Sequence, residues 1–211
     1  MELHGVRSCV EIEKKEGVFA PSVPSHAIRN QVNDDQSITP PETRIAISAS
    51  FTAEPVQAPL EFWSRQLRRP WAVRVAPFNQ LYQTLHDPAS EFARNRQGLN
   101  VMLVRLEDLG QFSRLDSDAL VQMEHNFETL LEEAARTEGR FSAPLLVVLC
   151  PPSPALMQVP GWAELNERAG QRLLHLLGGK RTIQARHWRD LAPASGNNGW
   201  HHPEGEQLGR I

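Results

Sequence analysis

Asn100-Val-Met-Leu-Val-Arg-Leu106 and Pro144-Leu-Leu-Val-Val-Leu-Cys150 decide the fold. Each is a short run dominated by leucine and valine, with none of the polar alternation of a half-exposed strand. Such a run marks a strand covered on both faces, as at the centre of a parallel sheet. Between the two, Leu120, Met123, Phe127, Leu131 and Ala134 recur at the helical period, with Asp116 or Ser117 as the cap and Gly139 as the stop. Strand, long helix, strand is the unit from which parallel sheets with crossover helices are built.

The same alternation continues in both directions. Upstream, Ile45–Phe51 is a β-favouring run, and Pro55 suits the first turn of a helix. Ala58, Leu60, Phe62, Trp63 and Leu67 give that helix an apolar face expected to pack inward, and Pro70 stops it. Trp71–Ala76 is a second strand and residues 78–86 a short helix. Downstream, Trp162–Leu177 is a helix ended by Gly178-Gly179, and Arg181–Ala185 is a weak fifth strand with a short helix around Trp188. The expected fold is an α/β three-layer sandwich around a parallel five-stranded sheet in flavodoxin-like order. In that order a last helix follows the fifth strand. Here Gln207-Leu-Gly-Arg-Ile211 stands where it should begin, so the domain is expected to lack its last helix.

The chain has 211 residues, 22% charged and 40% hydrophobic, enough for one domain with a real core. Residues 1–43 hold four basic and seven acidic side chains and so carry the whole net charge of −3, whereas 44–211 hold 18 of each. The first segment includes the polar Gln31–Glu42, which cannot bury enough apolar surface to offset its ordering entropy. Residues 1–43 are therefore expected to be a weakly ordered lead-in and 44–211 the domain. A balanced domain excludes nucleic-acid binding driven by bulk positive charge. No run approaches the ~20 apolar residues of a membrane span, and no apolar signal-peptide region opens the chain. Cys9 and Cys150 lack zinc or disulfide-framework spacing, and a reduced, cytoplasmic protein without metal or cofactor is expected.

Ligands of open parallel sheets sit beyond the carboxyl ends of the strands, where the strand order reverses. The loops there gather Ser50, Thr52, Asn79, Glu107, Asp108 and Ser153. Ser50 or Ser48 could serve as a nucleophile with Asn79 and backbone N–H groups as oxyanion donors, whereas Ser50 or Thr52 could equally cap the helix that follows. A base would have to come from His201 or His202, the histidines that chain order brings to this edge; in a Gly/Asn-rich loop they also read as solvated. Arg94 and Asn95, in Arg94-Asn-Arg96, could hold a phosphate or carboxylate, or form a solvated turn. Asp116-Ser-Asp118 follows no apolar strand, so it reads as a helix cap and not as a phosphoryl-accepting pair. Cys150 reads as a small buried hydrophobe. Phosphate-loop, dinucleotide-binding and nucleophile-elbow signatures are absent.

Ile47-Ser-Ala-Ser-Phe-Thr-Ala-Glu-Pro55, Phe62-Trp63, Ala76-Pro-Phe-Asn-Gln80, Leu85–Ser90, Ala93–Arg96, Gly98–Asp108 and Leu149–Pro154 follow one another in a pattern that carries a family likeness. It resembles the SGNH-hydrolase-like domain that precedes the HAD-type domain in FkbH-like proteins, a domain found also within nonribosomal peptide and polyketide synthetases. The likeness spans roughly residues 44–211. It implies work on an acyl or peptidyl carrier protein or a synthetase module, with phosphatase and transfer chemistry assigned to the HAD-type part, which has no counterpart in this sequence. Members of the family end in Asp-Pro followed by Leu-Gly-His-Ile-Pro-Tyr, whose Asp and His complete the SGNH triad. Here His202-Pro203 and Leu208-Gly-Arg-Ile211 take those places, so Arg210 stands for the His. Arginine stays protonated and cannot act as a general base. The expected function is an accessory or remnant domain of secondary-metabolite assembly, not catalytic by itself. The alternative is an acyl or glyceryl transferase or ester hydrolase using Ser50 with His201 or His202.

Overall fold

The computed structural model describes residues 43–69, 71–112 and 114–191. The chain divides into two units, Met1–Ile38 and Thr39–Ile211, and every described residue belongs to the second. In chain order the elements are β1 (Thr43–Ala49), α1 (Gln57–Gln66), β2 (Trp71–Val75), α2 (Leu81–His86), α3 (Glu91–Arg94) and β3 (Gly98–Val104). There follow α4 (Ser117–Arg136), β4 (Leu145–Leu149), α5 (Pro154–Met157), α6 (Trp162–Leu177), β5 (Ile183–His187) and α7 (Trp188–Leu191). All strand pairs are parallel, in the order β2-β1-β3-β4-β5. The expected α/β sandwich and strand order are therefore present. Whether a last helix closes the sheet lies outside the described residues. No described helix is long and apolar enough to cross a membrane.

The order dictates the layers. The chain steps one way from β1 to β2 and the other way from β2 through β5. Right-handed crossovers then put α1 on one face and the later helices on the other. The buried side chains obey this. Ala46, Met102, Val104, Val147, Leu149 and Ala185 point into a large cluster with residues of α2, α3, α4 and α6. Ile47, Ala49 and Val73 point the opposite way into a small cluster with Ala53, against which Leu60 of α1 packs. Asp116 caps α4 through a bond from the Ala119 amide at 3.1 Å, as its position before the apolar stripe implied.

Gly98 fixes the start of β3. Its φ is +129°, and a β-carbon there would lie 2.0 Å from the Arg44 carbonyl oxygen of β1. Only glycine combines that backbone angle with so close an approach.

Three expectations are corrected. The strands are shifted: β1 ends at Ala49, leaving Ser50-Phe51 in a loop, Leu106 falls in a 3-10 turn, and β5 runs on to His187. In β5, Ile183, Ala185 and His187 alternate inward, and that alternation carries the pairing two residues further. The second correction concerns α1, whose rings face solvent: Phe62, Trp63 and Leu67 are exposed, while Ser64 is the residue it buries. Ser64 Oγ accepts the Trp71 amide at 2.9 Å and donates to the Arg69 carbonyl. Those bonds turn the Leu60–Ser64 side toward β2 and leave Phe62, about half a turn away, and Trp63, about a quarter of a turn away, facing out. Third, the helix expected over 78–86 begins at Leu81, with Phe78 exposed in the preceding turn.

Candidate functional site

The switch point of this sheet lies between β1 and β3, and Ser50 stands on it. Its amide donates to the Leu103 carbonyl at 3.0 Å, one step beyond the end of β1. Its Oγ accepts the Arg105 amide at 2.9 Å and lies 3.4 Å from the Arg105 carbonyl and 3.5 Å from Asp108 Oδ2. Ser50 is completely buried. The hydroxyl thus ties the ends of two central strands together, and it does not cap the helical turn that follows, whose first position is taken by Ala53 without a side-chain bond.

Arg105 organises the rest. Its guanidinium grips Asp108 through both carboxylate oxygens, at 2.6 and 3.0 Å, and lies 3.7 Å from Glu107 Oε1. It also stacks over Phe51, 5.4 Å from the ring centroid. Burial works to lower its pKa, but the hydrogen bond to Asp108 and the charges of Asp108 and Glu107 outweigh burial and hold it above the ordinary value. Glu107 Oε1 accepts the Ser153 amide at 2.6 Å, linking the loops after β3 and β4. Its Oε2 is buried without a hydrogen-bond partner. Ser153 Oγ caps α5 by accepting the Leu156 amide. Cys150 continues β4 with its amide on the Val104 carbonyl at 2.7 Å. Burial pushes its thiol up to about 12, against the smaller opposite pulls of the Val104 bond and Arg105. A neutral thiol is a poor nucleophile; Cys150 stands half-buried just past the end of β4, not fully inside the core as its run of apolar neighbours suggested.

Ser50, Glu107, Asp108 and Ser153 therefore come together at the carboxyl edge. Thr52 is exposed in the loop after β1, and Asn79 is exposed in the turn after β2 at φ +54°. Ser48 is buried in β1 and donates to Thr84 Oγ1 at 3.1 Å. Arg94 and Asn95 stand at the other end of the sheet. Asn95 is buried, and its amide nitrogen reaches Asn100 Oδ1, the Leu99 carbonyl and the Arg44 carbonyl at 2.9 to 3.3 Å. Arg94 is exposed, 4.0 Å from Glu91. His201, His202 and Arg210 lie outside the described residues. No group of three or more metal-ligating side chains occurs among the described residues.

Two residues escaped the reading of the sequence. Arg105 stands among the strand residues of the sequence and not among its site candidates; its spacing of three from Asp108 was the available signal. The other is His187, which corrects the expectation that only His201 and His202 could reach the carboxyl edge. It closes β5 there, buried, with Nε2 3.3 Å from Asn166 Oδ1 and Nδ1 accepting the Arg189 amide at 3.1 Å. Those contacts require the neutral Nε2–H tautomer. Three strand spacings, roughly 14 Å, separate β5 from β1, so His187 is no partner for Ser50.

The fold and this edge define a doubly wound α/β domain whose switch point is closed by a buried serine and an arginine–aspartate pair. Neither a family model nor a curated protein matches the chain. Among solved structures it is similar to the N-terminal part of the protein BF1531 from Bacteroides fragilis, containing a phosphatase domain complexed with Mg, with a TM-score of 0.60 and 10% sequence identity. The similarity covers 81% of this chain and 47% of that one, so the chain spans about half the length of its neighbour. At that identity the likeness shows the fold alone.

Proposed function

We propose that the chain is a non-catalytic accessory domain of secondary-metabolite assembly, related to the SGNH-like domain of FkbH-like proteins, that engages a carrier protein or a synthetase module. The carrying observation is the state of Ser50. A serine nucleophile needs an exposed Oγ and a base within hydrogen-bond reach. Ser50 Oγ is wholly buried and occupied by the Arg105 amide, and among the described residues no imidazole bonds to it. Asp108, the carboxylate nearest Ser50, is held by Arg105. The fold-level likeness to a longer chain that contains a phosphatase domain agrees with the pairing of domains in FkbH-like proteins.

The test joins two measurements on the purified chain. A fluorophosphonate probe should leave it unlabelled, and it should not hydrolyse short-chain nitrophenyl esters. A holo acyl or peptidyl carrier protein should bind it in a titration followed by NMR. Labelling abolished by Ser50→Ala would establish the serine-dependent transferase or esterase instead, with His201 or His202 as its base. A chain that shows neither probe labelling nor carrier binding removes the accessory reading.

A further inference from the structure

We propose that the outward face of α1 docks an acidic amphipathic helix of a partner protein. The inference deepens the accessory reading by naming the surface and the chemistry of what it holds. Ten large apolar side chains are exposed among the described residues, and four of them, Val56, Phe62, Trp63 and Leu67, lie on α1 or on the positions that flank it. Phe62, Trp63 and Leu67 are 48%, 55% and 57% exposed. The two rings pack edge to face with centroids 5.6 Å apart, so they form one raised apolar ridge. The contrast with the other long helices is sharp: α4 and α6 expose one large apolar side chain each, Val121 and Leu174, and cover their outer surfaces with ion pairs such as Arg168–Glu124. A ridge of this kind on an otherwise charged surface is the mark of a contact surface.

Charge names the occupant. Arg65, Arg68 and Arg69 cluster at the carboxyl end of α1, beside the ridge, and no carboxylate among the described residues lies within ion-pair distance of them. Glu61 of α1 is turned to the packed side, where the Gln57 amide donates to it at 2.9 Å. A second copy of this chain would bring arginines against arginines across a two-fold axis, which costs free energy. A helix with an apolar stripe and an acidic flank satisfies both parts at once: its stripe covers Phe62 and Trp63, and its carboxylates meet the planar guanidinium forks.

The experiment titrates the full-length, isotope-labelled chain with a stapled helical peptide that has leucines along one face and glutamates beside them. Controls are a scrambled peptide of the same composition and phosphatidylglycerol vesicles. The amphipathic peptide should bind with shifts confined to Phe62, Trp63, Leu67 and their neighbours, and more weakly as salt is raised. Arg65→Glu with Arg69→Glu, both on exposed side chains, should weaken it by about tenfold. Phe62→Ser, with an unchanged far-ultraviolet circular dichroism spectrum, should do the same. Equal binding of the scrambled peptide, binding to vesicles alone, dimers held by this face, or contacts from residues 1–42 already covering Trp63 would each overturn the proposal. A holo carrier protein titrated in parallel separates the two readings. Carrier binding elsewhere sinks this face and leaves the accessory function standing. Peptide binding here without carrier binding does the reverse.

Discussion

Ser50→Ala tests the role of the switch-point serine directly. The substitution deletes the oxygen that accepts the Arg105 amide at 2.9 Å and leaves that N–H beneath a fully buried side chain. An unsatisfied buried donor costs about 1–3 kcal/mol. Part is recovered, because the hydroxyl's own proton has only the long contacts of 3.4 and 3.5 Å to the Arg105 carbonyl and Asp108. The expected loss is about 2 kcal/mol, or roughly 4–8 °C in Tm for a domain of this size. Ser48→Ala is the internal control. Ser48 donates to Thr84 Oγ1, and Thr84 keeps its own 2.7 Å bond to the Gln80 carbonyl when Ser48 is gone. No backbone group is orphaned, so its loss should be about 1 kcal/mol or less. Thermal and urea unfolding of both variants, followed by circular dichroism, gives the ranking. If Ser50→Ala melts within a degree of wild type, or above Ser48→Ala, Ser50 does not tie β1 to β3 and the argument for its structural role fails.

Other outcomes follow from the same geometry. Gly98→Ala should destabilise by about 2 kcal/mol or more, since the methyl group meets the Arg44 carbonyl at 2.0 Å and φ is +129°; a urea midpoint equal to wild type would show that β1 and β3 part without cost. The Cys150 thiol, pushed up to about 12 chiefly by burial, should resist iodoacetamide at pH 8 in the folded chain and react once urea unfolds it; rapid native-state labelling at Cys150, mapped by mass spectrometry, would contradict the burial. His187 is held below its usual pKa by burial first and by Arg189, against the upward pull of Asp190 and Glu167. The unfolded chain therefore binds the extra proton more readily, so this contribution to stability is complete above about pH 7 and declines as pH falls through roughly 6.5. Urea midpoints between pH 7.5 and 5.5 should fall more steeply for wild type than for His187→Gln, and parallel slopes would rule the assignment out.

How much could be read from the chain depended on whether the signal was local. The runs around Val101–Val104 and Leu145–Leu149 announced central parallel strands because residues buried on both sides must be apolar at every position. Asp116 before the stripe of α4 announced a cap for an equally local reason. The site was half legible: loop position alone brought Ser50, Glu107, Asp108 and Ser153 to one edge, but it could not say whether Ser50 faced solvent.

The sequence by itself determined the five strands and the long helices to within a few residues, their parallel pairing and the edge at which polar loops gather, because periodicity, caps and crossover handedness act within a few tens of residues. Tertiary structure alone decided which side of α1 turned inward, that Asn95 gave its amide to the Arg44 carbonyl, and that Ser50 spent its hydroxyl on the Arg105 amide. Each of those outcomes rests on a hydrogen bond between groups far apart in the chain or on competition for one buried face. The free energy of such a bond exists only once the partner strand is in place.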